Sequence, residues 1–190
     1  QELDGRPSGL STRGLLRRVL ERYAAHGWAP VVATELEFFV FERHLDPQRP
    51  FLPPLGLDGS RESGCSAFSV SSGNGLRAFF DEVYRCMAAL GLPRDTFMHE
   101  MGVSQFEINL LHRPDALAAA DDCIYLKRIA ELAAPRFGLK STCMAKPYAD
   151  QAGSGLHVHC SVIDKDGKNI QNIGKPPTAY CVSYPFVATD

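Results

Sequence analysis

Two histidines, His157 and His159, are separated by a single residue within residues 153–162, where polar and apolar side chains alternate. If this stretch is a strand, both imidazoles lie on one face and four apolar side chains lie on the other. Neutral imidazole nitrogens bind divalent cations, or one can bind a cation while its neighbour contacts a phosphate. The pattern also fits a strand whose polar face meets water, so other parts of the chain have to decide between the two interpretations.

Two glutamates, Glu35 and Glu37, show the same spacing within residues 31–41, which are rich in β-branched and aromatic side chains. These residues predict a strand, and its carboxylates would stand about 7 Å apart along one face. A strand this apolar is expected to be buried on both sides, where paired carboxylates need a strong positive partner such as a divalent cation. An edge strand with two solvated glutamates is the alternative.

A third polar face is predicted around Glu100 and Glu107. Residues 105–110 alternate in polarity, which places Glu107 on the polar face of a strand, and Gly102 marks a bend before it. Glu100 and Glu107 would then stand on either side of a turn and can converge on one point. An ordinary alternating strand with a solvent-facing side fits the same pattern.

Amphipathic segments around these strands predict three helices. Ser11 or Thr12 is the expected N-cap of the first, which ends at Gly27. Ser72 or Asn74 is expected to cap the second, which runs to Gly91 with an aromatic stripe facing the core. The third is expected to begin after Asp115 and to end at Pro135 and Gly138, before a strand over residues 139–144.

Two segments have no predicted regular structure. Residues 44–64 are rich in proline and glycine and predict a long loop, a kind of segment that is often functional or mobile. From about Asn172 to Asp190 no clear amphipathic element can be placed. The strands and helices on both sides of the long loop are expected to form one core.

Composition sets further limits on the function. The 190 residues are 45% hydrophobic and 22% charged, with a net charge of −2, so neither a nucleic-acid partner nor a membrane partner is expected. No signal peptide or stretch of about 18 apolar residues is found, and the six cysteines contain no Cys-x-x-Cys pair. They are interpreted as buried reduced thiols, which predicts a cytoplasmic location.

Taken together, the three strands predict a curved antiparallel sheet that gathers four carboxylates and two imidazoles: Glu35, Glu37, Glu100, Glu107, His157 and His159. Oxygen-rich ligand sets suit Mg²⁺ or Mn²⁺ better than Zn²⁺, for which cysteine or histidine would dominate. Two such ions about 3.5–4 Å apart neutralise charge in phosphoryl transfer.

Four ordered blocks, at residues 35–39, 99–108, 144–147 and 153–159, resemble the glutamine synthetase catalytic domain. The resemblance spans residues 1–170, which are therefore expected to be the N-terminal part of such a domain, with 171–190 as an unassigned tail. It implies an α+β fold in which helices pack on the outer face of a curved antiparallel sheet.

The resemblance also implies a distribution of metal ligands. Glu37, Glu100 and Glu107 would hold a first divalent ion, beside the substrate glutamate and the incoming amine. Glu35 and His157 would hold a second ion, beside the nucleotide phosphates.

For the substrates, the resemblance implies that His159 contacts the ATP phosphates and that the backbone at Gly153 meets glutamate. ATP phosphorylates the γ-carboxylate of glutamate, and ammonia or an amine then displaces the phosphate. Metal charge offsets the repulsion between carboxylate and triphosphate and stabilises the leaving phosphate. No residue is assigned here as a catalytic acid or base.

Departures from the family pattern concern the amine and the extent of the chain. Residues 102–105 are Gly-Val-Ser-Gln where the family usually has Gly-Pro-Gly-Gln, and Ala152 replaces a common asparagine. Both changes, with residues 108–112, are more similar to the γ-glutamylpolyamine synthetase branch, so a polyamine is an alternative to ammonia.

The N-terminal β-grasp domain and the C-terminal half of the family's catalytic domain are not recognised in these 190 residues. We therefore expect this chain alone to bind metal, to turn over poorly, and to form the family's rings of identical subunits less readily. A catalytically silent metal-binding, nucleotide-binding or assembly module of the same fold is the alternative.

Overall fold

The computed structural model describes residues 2–6, 8–46 and 48–170, and the backbone of the strand at residues 180–185. The helices are α1 (Thr12–Ala25), α2 (Val70–Asn74), α3 (Arg77–Ala89) and α4 (Ala116–Ala133), which continues into a short 3-10 helix (Ala134–Phe137). The strands are β1 (Ala29–Glu42), β2 (Arg94–His99), β3 (Gln105–Leu110), β4 (Leu139–Thr142), β5 (Gly155–Ile163) and β6 (Tyr180–Pro185).

All six strands form one antiparallel sheet in the order β2-β3-β1-β5-β6, and β4 pairs with the C-terminal part of β1. The long strand β1 lies at the centre of the sheet, and residues of both neighbouring strands, β3 and β5, pair with its glutamates. Glu37 stands opposite Glu107 of β3, and Glu35 stands opposite His157 of β5. The predicted α+β class with an antiparallel sheet is therefore confirmed.

The apolar face of the sheet packs against α3 and α4. Phe38 of β1 and Phe106 of β3 are 0% and 1% exposed and belong to the same core cluster as Phe80 of α3 and Leu126 of α4. The ring centroids of Phe106 and Phe80 are 5.0 Å apart, in an edge-to-face arrangement that aromatic pairs favour. Because side chains alternate along a strand, this packing leaves the glutamates of β1 and β3 on the opposite face.

Two of the three helix starts follow the prediction. Ser11 caps α1 by accepting a hydrogen bond from Gly14 N at 3.2 Å, and Asp115 caps α4 by accepting from Leu117 N and Ala118 N. The predicted cap of the second helix is wrong. That region splits into α2, which Ser69 caps, and α3, which has no side-chain cap. Glycine and asparagine at residues 73–75 have low helix propensity, which accounts for the interruption.

The long loop and the end of the chain contain structure that the pattern did not predict. Arg61 closes the loop by donating to Glu42 and to the carbonyl of Pro53. The strand β6 pairs antiparallel with β5, from Gly155 opposite Pro185 to Cys160 opposite Tyr180, although its residues lack an amphipathic pattern. The rest of the predicted tail, residues 171–179 and 186–190, lies outside the described residues.

Two further predictions concern membranes and thiols. In the described part of the chain, no helix combines the length and the hydropathy that crossing a bilayer requires. Five described cysteines are free thiols, but burial was predicted too generally, because Cys123 and Cys143 are buried and Cys65 is exposed.

Candidate metal centre

Glu35 lies between the two predicted imidazoles. His157 Nδ1 is 2.9 Å from Glu35 Oε2, and His159 Nε2 is 2.6 Å from Glu35 Oε1. The pairing of β1 with β5 produces this contact, because Glu35 stands opposite His157 and Ala33 stands opposite His159. The alternating pattern of each strand is therefore realised as one shared polar surface, on which these side chains are 24–30% exposed. The edge-strand alternative for Glu35 and Glu37 is wrong, because β1 lies at the centre of the sheet.

Glu37 and Glu107 are nearly inaccessible to solvent and face each other across β1 and β3. Oxygens of both carboxylates lie 3.8 Å from His157 Nδ1. Burial raises the pKa of Glu107 to about 7, and the charges of Glu35, Glu100 and Glu37 act in the same direction. Burial also raises the pKa of Glu37, although the backbone N–H of Gly155 opposes this shift. A negative cluster of this kind gains stability from a bound cation.

The most compact group of potential ligands is Glu35, Glu107 and His157, each of which offers one atom within 4.8 Å of the others. Glu37 adjoins this group through His157 Nδ1 at 3.8 Å. Three carboxylates with one imidazole match the oxygen-rich coordination that Mg²⁺ or Mn²⁺ takes. A cation there would take the place of the hydrogen bond between His157 Nδ1 and Glu35. The residues present thus fit a divalent ion, and its binding remains a prediction.

Glu100, the fourth of the predicted carboxylate ligands, lies in the turn between β2 and β3 rather than in a strand. Its charge raises the pKa of both Glu37 and Glu107, after the larger effect of burial, so it acts on the same site. One oxygen of Glu100 accepts a hydrogen bond from Met101 N at 3.2 Å. The compact group combines members of both predicted ion sites, because Glu107 was assigned to the first ion and Glu35 with His157 to the second.

The buried His99 and the half-buried Glu62, which no pattern had assigned to the site, hold the Glu100 turn in place. His99 Nδ1 is 2.7 Å from the carbonyl oxygen of Glu100, and His99 Nε2 is 3.0 Å from the carboxylate of Glu62 in the long loop. Burial alone would raise the pKa of Glu62, but hydrogen bonds from His99, Ser66 and Ser104 hold it below its ordinary value. A lone glutamate within a loop rich in proline and glycine offers no sequence signal for this contact.

Gln105 is a third residue that sequence reasoning did not assign to the site, although it alternates with Glu107 on the same strand face. Its side-chain nitrogen donates to Glu37 Oε2 at 2.8 Å and to the carbonyl oxygen of Gly153 at 3.0 Å. Gly153, which was predicted to meet a substrate, is thereby connected to a predicted metal ligand. The signal available in the sequence was the polar residue two positions before Glu107.

His159, the predicted phosphate contact, borders the site beside a third imidazole. Its ring centroid is 6.2 Å from that of His112, and a quarter of the His159 side chain is exposed. Its Nε2 is engaged with Glu35, so any phosphate contact would compete with this carboxylate or use another edge of the ring. The phosphate contact stays a prediction.

Gly155 offers a direct test of the site's geometry. A Cβ at this position would lie 2.9 Å from Glu37 Oε1, closer than carbon and oxygen atoms can approach without movement. We expect Gly155→Ala to displace the Glu37 carboxylate and to weaken Mn²⁺ binding about tenfold or more, measured by isothermal titration calorimetry. The control is Gly64→Ala, since no atom lies within 4 Å of a Cβ there. Equal affinities of the two variants would contradict the proposed role of Glu37.

Comparisons with known proteins agree with this architecture. The family model of the glutamine synthetase catalytic domain matches residues 9–178. The γ-glutamylputrescine synthetase of Escherichia coli strain K12 is 35% identical over 88% of this chain and 36% of its own length. The glutamate–isopropylamine ligase of a Pseudomonas species is 32% identical over 99% of this chain and 40% of its own length.

A solved structure extends the likeness to the fold. The crystal structure of a glutamine synthase homologue superimposes with a TM-score of 0.75 and 27% identity, over 91% of this chain and 37% of that protein. The chain thus spans between a third and two fifths of the length of the relatives it matches. The antiparallel sheet collects glutamates and histidines, the family model matches most of the residues, and two relatives are named as a synthetase and a ligase. These findings together show that this chain belongs to the glutamine synthetase family, within its catalytic domain.

Proposed function

We propose that this chain is the metal-binding portion of an ATP-dependent ligase that joins the γ-carboxylate of glutamate to ammonia or an amine. Residues 1–170 form the N-terminal part of the catalytic domain in this proposal, and 171–190 remain unassigned. The observation that carries it is the convergence of Glu35, Glu37 and Glu107 with His157 on three adjacent strands.

In the proposed reaction, Mg²⁺ or Mn²⁺ supplies positive charge that lets a carboxylate and a triphosphate approach each other and that stabilises the leaving phosphate. Glu37, Glu100 and Glu107 would hold the ion that serves glutamate, and Glu35 with His157 would hold the ion that serves ATP. The buried carboxylates are suited to this because burial and mutual repulsion favour the arrival of a cation. His159 contacts the phosphates of ATP.

The Gly153 carbonyl contributes to the glutamate site in this proposal. It lies beside Glu37, since Gln105 Nε2 donates to both groups at 3.0 and 2.8 Å. The γ-carboxylate of glutamate first takes the terminal phosphoryl group of ATP, which releases ADP and gives γ-glutamyl phosphate. The amine nitrogen then forms a bond to the carbonyl carbon of that γ-carboxyl group, phosphate leaves, and the nitrogen gives up a proton as the amide forms.

For the second substrate we favour an amine over ammonia. The relative that is 35% identical carries the name of a putrescine ligase, and the one that is 32% identical carries the name of an isopropylamine ligase. Identity at this level leaves the amine itself open, so putrescine, isopropylamine and ammonia belong side by side in any assay. We place the reaction in the cytoplasm, because the described cysteines are free thiols.

The test is stabilisation by ligands, followed by turnover. At about 100 times its dissociation constant a ligand adds about 2.7 kcal/mol, which corresponds to about 5–10 °C in Tm for a chain of this size. We expect Mn²⁺ to produce such a shift, and ATP to increase it further. Glu35→Ala should lose most of the shift, whereas Glu21→Gln on the exposed side of α1 should retain it.

A second candidate function, a silent metal-binding or assembly module, makes a different prediction in the same experiment. It would show the shift in Tm without releasing phosphate from ATP in the presence of glutamate and an amine. A complete absence of any shift with Mn²⁺ or Mg²⁺ would contradict both functions. Release of phosphate that depends on the amine supports the ligase, and it is measured with the longest form of the polypeptide found in its source cell.

A further inference from the structure

Gln105, at the start of β3, is fully buried, and each polar atom of its amide has a partner. Its nitrogen donates to Glu37 Oε2 and to the carbonyl oxygen of Gly153, at 2.8 and 3.0 Å. Its oxygen accepts a hydrogen bond from Gly102 N at 2.8 Å. Since two acceptors face one end of the amide and an N–H faces the other, these partners determine which end is nitrogen.

The surroundings leave the amide no other position. A Cβ at Gly102 would lie 2.6 Å from Gln105 Oε1 and 2.9 Å from an aromatic carbon of Phe39, so the backbone of the turn packs directly on the side chain. Turning the amide away would break three hydrogen bonds and leave buried polar groups unsatisfied, which is costly. Gln105 is therefore held rigidly by the same contacts that it makes.

We propose that Gln105 is a positioning residue that couples the metal centre to the loop preceding β5. This inference rests on the proposed function, in which Glu37 binds a cation and Gly153 meets glutamate. The amide donates to both groups at once, so it sets the orientation of the carboxylate and the place of the carbonyl together. Groups that donate a hydrogen bond to a metal ligand and so orient it typically contribute a factor of about 10–100 to metal affinity.

The coupling has a consequence for the loop itself. A cation that fixes Glu37 also makes local opening around the Gln105 amide less frequent, so the Gly153 carbonyl is held more firmly. The next residue, Ser154, donates its backbone N–H to Ala145 O at 2.8 Å. Metal binding should therefore slow hydrogen exchange at Ser154 in the parent chain. A residue that merely supports the fold would not transmit this change.

The decisive variant is Gln105→Met, which keeps the length of the side chain and removes its hydrogen bonds. The control is Gln151→Met, because Gln151 accepts a hydrogen bond from Val103 N of the same turn at 3.3 Å. We expect the Mn²⁺ dissociation constant to rise about 10–100-fold in Gln105→Met and less than about twofold in Gln151→Met. Slower exchange at Ser154 on adding Mn²⁺ should persist in the control and disappear in Gln105→Met.

The outcomes separate this inference from the proposed function. If the parent chain shows no Mn²⁺ binding, the proposed function fails, and the inference fails with it. If the parent binds and a folded Gln105→Met retains both the affinity and the metal-dependent protection at Ser154, the inference alone is overturned. Should Gln105→Met not fold, Gln105→Asn replaces it, because an amide shorter by one methylene keeps the polar character but cannot reach both Glu37 and the Gly153 carbonyl. Unchanged binding in that variant also overturns the inference.

Discussion

Glu107→Gln is expected to stabilise the metal-free protein at pH 8 and, at the same time, to weaken its binding of Mn²⁺. Glu107 is buried beside three other glutamates, and its pKa rises to about 7 from an ordinary value near 4.5. Ionising it in the folded state therefore opposes folding. A shift of this size corresponds to about 3 kcal/mol, which a neutral glutamine at the same position would recover.

The pH dependence follows from the same shift. The folded protein holds the proton on Glu107 more tightly than the unfolded chain does, so this group's contribution to stability is complete below about pH 4.5 and is lost as the pH rises through about 7. Urea denaturation of the metal-free parent should show this decline between pH 5 and pH 8. The difference between parent and Glu107→Gln reports the contribution of Glu107 together with its repulsion of the neighbouring glutamates, because the rest of the chain is common to both.

At pH 8, saturating Mn²⁺ should make the parent more stable than Glu107→Gln, the reverse of the order expected without metal. The cation stabilises the ionised carboxylate of the parent, whereas a glutamine loses one charged ligand, and we expect its affinity to fall by more than about tenfold. A parent no less stable than Glu107→Gln at pH 8 without metal, or unaltered Mn²⁺ affinity in the variant, would contradict the assignment of Glu107 to the site.

Phe106→Ala is expected to have the largest effect on the free energy of unfolding. The Phe106 side chain is 1% exposed and packs against the rings of Phe80 and Phe97, with centroids 5.0 and 5.7 Å away. Truncating a buried phenylalanine typically costs about 3–5 kcal/mol, since the site loses transfer free energy and keeps a cavity. That cost is a large part of the roughly 5–15 kcal/mol that stabilises an ordinary domain.

The matched control for this prediction is Phe68→Ala, because Phe68 is 76% exposed. A surface substitution of this kind should change the free energy of unfolding by no more than about 0.5 kcal/mol. Both values come from equilibrium unfolding in urea at a pH below 5, where Glu107 is protonated in the folded state. Similar costs for the two variants would show that the core between the sheet and α3 is not packed as described.

The local sequence pattern was sufficient to predict the strand faces of the site and two of the helix caps. Alternation placed Glu35 and Glu37 on one strand face and His157 and His159 on another, and the structure joins these faces. Helix caps at Ser11 and Asp115 were also predicted, because a capping side chain acts within three residues of its own position. Signals of this range are contained in a short stretch of sequence.

Other features depend on contacts between distant residues. Glu62 reaches His99 from a loop without periodicity, and Gln105 reaches Glu37 and Gly153 only because β3, β1 and the loop before β5 meet. The interruption between α2 and α3 and the pairing of β6 were not predicted either. No short window of sequence contains the partners of these contacts, so the packed chain had to show them.

The sequence by itself determined the residue types of the site, the strand faces that carry them, and the family to which the chain belongs. The tertiary structure alone decided that Glu35 lies opposite His157, 122 positions away, and that Glu37 lies opposite Glu107. The reason is physical: the two-residue period of a strand is local, whereas the register between strands is chosen by burying the whole apolar face of the sheet at once.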